Sequence, residues 1–145
     1  MWRILVPVDG SEGALRAARH VAALAKQLHQ CEACLINVQP TVPALDRAFD
    51  GRPSSVRSAQ ELLLREPGER IIAVAGEVLA QAGTACESRV EFGDAVHVIA
   101  DYAQKLGADA IVMGAGRLDS ATGRVLGSVA SRIVNVAHVP VTLVK

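Results

Sequence analysis

The sequence is poor in aromatic residues and carries no net charge, and each shortage excludes a class of protein. Only 3% of the residues are aromatic while 50% are hydrophobic, so the core must be built from aliphatic side chains. Fifteen basic residues balance fifteen acidic ones. This balance argues against a nucleic-acid-binding protein and against a basic membrane-surface anchor, so we expect neither nucleic acid nor membrane as a partner.

Long apolar runs and paired cysteines are also missing. No apolar run approaches the ~20 residues that span a bilayer, and the run at 4–8 is too short for a secretory signal. Cys31 and Cys34 have the spacing CxxC, but no second pair completes a zinc site, and three cysteines make no disulfide framework. The sequence therefore predicts a cytoplasmic protein whose cysteines are core-filling thiols.

Apolar runs alternate with stretches of helical periodicity along the chain. Strands are predicted at 3–8, 33–38, 86–92, 109–114 and 140–144, and the third has one polar face, as an edge strand would. Helices are predicted at 11–28, at 56–65, from Pro67 to Gly83, at 95–106 and at 128–137, with caps at Ser11 and Asp94. Residues 39–55 are expected to form a long surface connection.

This alternation predicts an α/β fold, a single domain over residues 1–145 with an open parallel five-stranded sheet and helices on both faces. In such a sheet, ligands bind at the carboxyl ends of the strands, where the strand order reverses. Asp9 follows the first strand and Gly114 ends the fourth. If these strands are neighbours, both residues face one crevice.

A segment rich in glycine and arginine, residues 113–132, follows the fourth strand. Gly127 and Ser128 open the next helix, whose free N–H groups and dipole suit an anion, and Arg117 and Arg124 add positive charge. Two simpler interpretations stay open: Ser128 as a helix cap and Asp9 as a turn residue. The segment is neither a Walker loop nor a dinucleotide fingerprint, so the residues alone do not decide between a phosphate cradle and a plain loop.

No arrangement of catalytic side chains is visible. The four histidines are scattered, and Asp9 is the one carboxylate predicted to face the crevice. Phosphoryl transfer needs metal ligands and an oriented nucleophile. We therefore expect no enzyme activity, and any phosphoryl transfer at this crevice should be slow and incidental.

Three separated motifs, "ILVPVDGS", "FGDAVHVIADYAQKLGADAIVMGA" and "LGSVASRIVNVAHVPVTLVK", resemble the universal stress protein family. The resemblance covers nearly the whole chain and fails only at the variable region 39–65. It implies a Rossmann-like parallel sheet in the strand order 3-2-1-4-5.

One branch of that family binds ATP through a pattern of Gly, two residues, Gly, nine residues, then Gly and Ser or Thr. Gly114 and Gly127-Ser128 match its two ends, whereas Arg117 stands at the second glycine position, with Gly116 one residue earlier. The resemblance therefore implies an ATP site, with or without Mg²⁺. The implied binding residues are Pro7, Val8, Asp9, Val38, Gly114, Gly116, Arg117, Gly127, Ser128 and Val129.

The resemblance also implies a regulatory protein of stress adaptation that forms a homodimer through the last strand, 140–144. Further protein partners are left open, as are two alternatives to ATP binding and regulation. One is a dimeric interaction protein of the same fold whose crevice Arg117 blocks, and the other is a weak ATP hydrolase.

Overall fold

The computed structural model describes residues 1–41, 54–119 and 123–145, in which strands alternate with helices. The elements in chain order are β1 (Trp2–Pro7), α1 (Glu12–Gln27), β2 (Cys31–Gln39), α2 (Ser54–Gln81), β3 (Ala85–Phe92), α3 (Ala95–Leu106), β4 (Ala110–Gly114), β5 (Gly116–Asp119), β6 (Gly123–Leu126), α4 (Ser128–Val136) and β7 (Val141–Val144). A parallel sheet joins five of these strands in the order β3-β2-β1-β4-β7. The predicted α/β fold and the strand order 3-2-1-4-5 are confirmed.

Aliphatic side chains cover both faces of the sheet. One layer packs α1 and α2 against it, with Val6, Val21, Leu35 and Leu79 fully buried. The other layer packs α3 and α4 against the opposite face, with Leu5, Ile36, Ile111 and Ile133 fully buried. Neighbouring residues of one strand enter different layers because side chains alternate across a sheet. Helices on both faces are therefore confirmed.

The third strand lies at an edge of the sheet, as its polar face predicted. β3 pairs with β2 alone in the sheet, and its residues 85–89 are exposed while Val90 is buried.

The helix caps predicted from local chemistry are also confirmed. The Ser11 hydroxyl accepts the Ala14 N–H at 3.2 Å, and the Asp94 carboxylate accepts the His97 N–H at 3.1 Å.

The helix prediction around Pro67 is wrong, because α2 runs without a break from Ser54 to Gln81 with this proline inside it. A proline removes one helical hydrogen bond, here the bond to the carbonyl of Leu63. Leu63 is 78% exposed, so water can hydrate that carbonyl. Packing on both sides of Pro67 stabilises the continuous helix. Arg65 lies over the Phe92 ring, 5.6 Å from its centroid, and Ile72 is buried.

Part of the predicted surface connection at 39–55 can be placed. β2 continues to Gln39 and α2 begins at Ser54, and residues 42–53 lie outside the described residues. Among the helices in the described ranges, none is both long enough and apolar enough to cross a lipid bilayer.

The segment after β4 was predicted as a loop, and instead it contains a small hairpin. β5 and β6 pair antiparallel, with Gly116 opposite Leu126 and Arg117 opposite Val125, and they form a sheet of their own. Residues 120–122, between the two strands, lie outside the described residues. The sequence does carry a signal for it, since Gly-Arg-Leu-Asp and Gly-Arg-Val-Leu stand three residues apart.

Two glycines in α2 give a matched test of how this helix packs on β2 and β3. A Cβ built on Gly68 would lie 2.8 Å from Asn37 Oδ1 and 2.9 Å from a Val90 methyl, whereas one on Gly76 would lie 3.8 Å from Leu35. We expect Gly68→Ala to lower the free energy of unfolding by about 1–3 kcal/mol through overpacking. We expect Gly76→Ala to raise it by about 0.5–1 kcal/mol, because alanine favours a helix. Urea denaturation of both variants measures this, and equal effects would contradict the packing of α2 on β2 and β3.

Candidate functional site

The strand order reverses between β1 and β4. These two strands are parallel neighbours, with Ile4 opposite Ala110 and Leu5 opposite Ile111. β2 and β3 follow on one side of them and β7 on the other. The carboxyl ends of β1 and β4 therefore meet at the place where an open α/β sheet binds its ligands.

Gly114, at the end of β4, lies against the first turn of α1. A Cβ built on it would be 2.8 Å from the Gly13 carbonyl carbon and 2.9 Å from the Gly13 oxygen. A side chain there would collide with backbone, which has little freedom to move. The glycine at position 114 therefore lets the end of β4 lie directly against the start of α1, the helix that follows β1.

Asp9 acts as a turn residue at the end of β1. Its Oδ1 accepts the Ser11 N–H at 3.0 Å, and the side chain is exposed. The simpler interpretation of this residue is thus correct as far as the turn is concerned. An exposed carboxylate held at the switch point is also available to a ligand, so its predicted contact with adenosine stays a prediction.

The hairpin and the start of α4 pack on each other through glycines. The Gly127 N–H donates to the Ala115 carbonyl at 3.0 Å, and a Cβ built on Gly127 would lie 3.4 Å from the Gly116 Cα. Gly116 has a φ of 122°, a backbone conformation that residues with a Cβ rarely adopt. Gly116 therefore makes the bend, and Arg117 follows it in β5 opposite Val125.

The interpretation of Ser128 as a helix cap is wrong, because Gly127 occupies the N-cap position. The Gly127 carbonyl accepts the Ser131 N–H at 2.9 Å, and α4 has no side-chain cap. A helix begins with N–H groups that have no partner inside the helix. Here Ser128 and Val129 are exposed residues, and the positive end of the helix dipole lies at Gly127, which packs on Gly116.

Asn37 is a residue of this edge that the sequence analysis missed. It is 3% exposed, its Nδ2 donates to the Val8 carbonyl at 2.8 Å, and its Oδ1 accepts from Gln39 Nε2 at 2.8 Å. The Val8 N–H donates to the Ile36 carbonyl at 2.9 Å. Both the N–H and the carbonyl of Val8 are therefore hydrogen-bonded to β2. The available signal was one amide residue inside the apolar run 33–38.

A cleft of about 440 Å³ lies beside the loop after β1. Its lining is largely apolar and is contributed by Val8, Gly10, Ser11, Ala14, Leu15, Pro67, Arg70, Ile71, Val74 and Ala75. Its volume is in the range of small-molecule sites. Pro7, which ends β1, and Val38, half-buried in β2, flank Val8 and Asn37 along the chain. A larger cleft of about 800 Å³ between α2 and β3 contains none of the predicted site residues.

A second carboxylate, Asp94, follows β3 and caps α3. Its Oδ2 lies 2.5 Å from His97 Nδ1 and 3.9 Å from an Arg132 nitrogen. Hydrogen bonds from the ring and the backbone of His97 hold the pKa of Asp94 below its ordinary value. His97 therefore supports a helix cap, and in the described residues no group of three histidine, cysteine or acidic side chains could hold a metal ion.

The cysteines show no sign of redox or metal chemistry at this edge. Cys34 is buried in β2, and burial raises the pKa of its thiol, as it does for Cys31. A thiol whose pKa is raised is a weak nucleophile and a weak metal ligand at neutral pH. The interpretation of Cys34 as a core-filling residue agrees with its burial, whereas the same interpretation is wrong for Cys86, which is exposed at the edge strand β3.

Three comparisons relate the chain to known proteins. The family model described as the universal stress protein family matches residues 1–145. A universal stress protein of Methanocaldococcus jannaschii is 30% identical over 143 residues, which cover 99% of this chain and 81% of the relative.

Solved structures share the fold. The universal stress protein from Archaeoglobus fulgidus in complex with dAMP has a TM-score of 0.70 and 22% identity, over 100% of this chain and 98% of that one. A universal stress protein family protein from Arabidopsis thaliana with AMP bound has a TM-score of 0.70 and 18% identity, over 100% of this chain and 92% of that one. With its motifs, its strand order and its whole length in agreement, this chain belongs to the universal stress protein family.

Proposed function

We propose that this chain is an adenine-nucleotide-binding regulatory protein of stress adaptation, with ATP as its ligand. The observation that carries the proposal is the uncapped start of α4 packed on Gly116, at the strand switch point. Its N–H groups, which have no partner among the described residues, and the helix dipole form the kind of site that binds phosphate in proteins. The AMP and dAMP complexes of proteins with this fold support the same assignment.

The residues present fit a nucleotide in two parts. Ser128 and Val129 would bind phosphate oxygens through their N–H groups, and the Ser128 hydroxyl, which does not cap the helix, would add a donor. The apolar cleft beside Val8 would hold the adenosine, with Asp9 near the ribose. Mg²⁺ would be held mainly by the phosphates themselves, as is usual for this ion.

Thermal unfolding with and without nucleotide tests this proposal. A ligand that binds the folded state stabilises it by about 2.7 kcal/mol at one hundred times its Kd. We expect ATP, with or without Mg²⁺, to raise the unfolding midpoint by several degrees, and the protein to release an adenine nucleotide when denatured. No shift at millimolar ATP, ADP or AMP would overturn the proposal and favour an interaction protein whose crevice is closed.

We also propose that the chain forms a homodimer through β7, which lies at an edge of the sheet. The Pro140 carbonyl accepts the N–H of Ile111 in β4, and the Val144 carbonyl accepts the N–H of Ala115, just after β4, both at 2.9 Å. Main-chain groups alternate in direction along a strand, so those of Val141 and Leu143 point to the free edge.

Thr142 is exposed in this strand and gives a direct test of the dimer. In a symmetric pairing of two β7 strands, the Thr142 side chains of both protomers lie near the two-fold axis. We expect Thr142→Asp to convert a dimer into a monomer through like-charge repulsion, while Thr142→Ser leaves it intact. Sedimentation equilibrium measures this, and a parent chain that is monomeric would contradict the proposal.

A further inference from the structure

Arg16 places a positive charge beside the Gly13–Gly114 contact. A Cβ built on Gly13 would lie 3.5 Å from Arg16 Nη2, 3.7 Å from the Gly114 Cα and 3.7 Å from Ser11 Oγ. The guanidinium therefore lies on the open side of Gly13, the side that faces the end of β4. A long helical side chain points back toward the start of its own helix, which explains how Arg16 reaches the first turn of α1.

The Arg16 side chain contains a buried hydrogen-bond donor that lacks a partner among the described residues. Its Nε atom exposes less than 1 Å² to solvent and has no hydrogen-bond partner in the part of the chain that the structure describes. The residue as a whole is only half-buried. Buried donors without a partner are rare in folded proteins and lower stability, so an arginine kept in this position serves a role other than stability.

Two charges act on Arg16 at this position: Glu12, in the first turn of α1, attracts it and the helix dipole opposes it. Arg16 reaches the first turn of α1, and the positive end of a helix dipole repels a cation. The start of α4 presents a second positive helix end at the same edge of the sheet, joined to Gly114 through Ala115 and Gly116. A guanidinium at the meeting point of two such helix ends suits a ligand that carries several negative charges.

We infer that Arg16 binds the phosphate chain of the ligand and makes the site selective for nucleoside di- and triphosphates over monophosphates. This inference rests on the proposed nucleotide site. The N–H groups of α4 can satisfy one phosphate, and the guanidinium offers a fork of donors that matches the oxygens of another.

Isothermal titration with ATP and AMP tests the inference on two matched variants. Arg16→Gln removes the charge at the glycine contact, and Arg19→Gln removes the same charge from an exposed position of the same helix. We expect Arg16→Gln to weaken ATP binding at least tenfold and AMP binding less than threefold. We expect Arg19→Gln to change either affinity by less than twofold.

A measurement on the free protein separates a ligand-binding arginine from a structural one. Arg16→Met keeps the apolar contacts and removes the unpartnered donor, so we expect an unfolding midpoint equal to or above that of the parent, together with a smaller shift on adding ATP. A lowered midpoint with an unchanged ATP affinity would overturn the inference. Equal ATP affinities of Arg16→Gln and the parent would overturn this inference alone, whereas a parent that binds no nucleotide would overturn the proposed function with it.

Discussion

Replacing Asn37 by aspartate is expected to lower the free energy of unfolding at pH 7 by about 3–5 kcal/mol, because it leaves a buried charge without compensation. Asn37 is 3% exposed and its Nδ2 donates to the Val8 carbonyl at 2.8 Å. An ionised aspartate cannot donate, so two acceptors would face each other across β1 and β2. Urea denaturation gives the loss directly.

The same variant should regain stability in acid. A buried carboxyl has a pKa above its value in the unfolded chain, about 3.9, because burial disfavours the charged form. Its protonated form can donate to the Val8 carbonyl. The loss in free energy of unfolding relative to the parent is therefore small below pH 4, and it grows as the pH rises through the folded-state pKa. Asn135→Asp makes the same change on an exposed residue and should cost less than about 1 kcal/mol. Equal, pH-independent losses in both variants would contradict the role given to Asn37.

Replacing Gly127 by aspartate should move stability and nucleotide affinity in opposite directions. Gly127 has φ −63° and ψ 154°, which any residue can adopt, and an added Cβ would meet Gly116 at an ordinary contact distance of 3.4 Å. An aspartate at the N-cap accepts the free N–H groups of the first turn and stabilises the helix by a few tenths of a kcal/mol relative to glycine. The same carboxylate occupies and repels the phosphate position, so ATP affinity should fall at least tenfold.

Gly127→Asn is the control for charge, since asparagine caps the helix equally well and carries none. We expect its ATP affinity to lie between those of the parent and Gly127→Asp. Titration calorimetry and thermal unfolding supply the two readouts. An aspartate variant that binds ATP as tightly as the parent would show that the phosphate lies elsewhere.

Local chemistry made most of the fold predictable. Short apolar runs bounded by caps such as Ser11 and Asp94 define elements within a few residues, and their alternation leaves an open parallel sheet as the simplest packing. The helix through Pro67 was not predictable in this way. Its continuation depends on contacts with Phe92 and the sheet, which outweigh the local preference to stop at a proline.

The residues of the candidate site could likewise be predicted only in part. Gly127 could be proposed from local chemistry, because a glycine that opens a helix allows close backbone approach. Gly114 and Gly116 could be proposed through the glycine pattern of the family that the sequence resembles. The importance of Asn37 could not be proposed, because its partner Val8 is 29 residues away, just after another strand. Arg16 was likewise one of several charged residues on a helix until the fold brought Gly13 against Gly114.

The central claim is that the N–H groups that begin α4 bind the phosphates of an adenine nucleotide. The most direct measurement is a titration of the ¹⁵N-labelled protein with ATP, followed through the backbone amide resonances. The account predicts that the Ser128 and Val129 amides shift most strongly and saturate together with Gly116. Saturable shifts confined to other parts of the chain, with these three resonances unmoved, would contradict it.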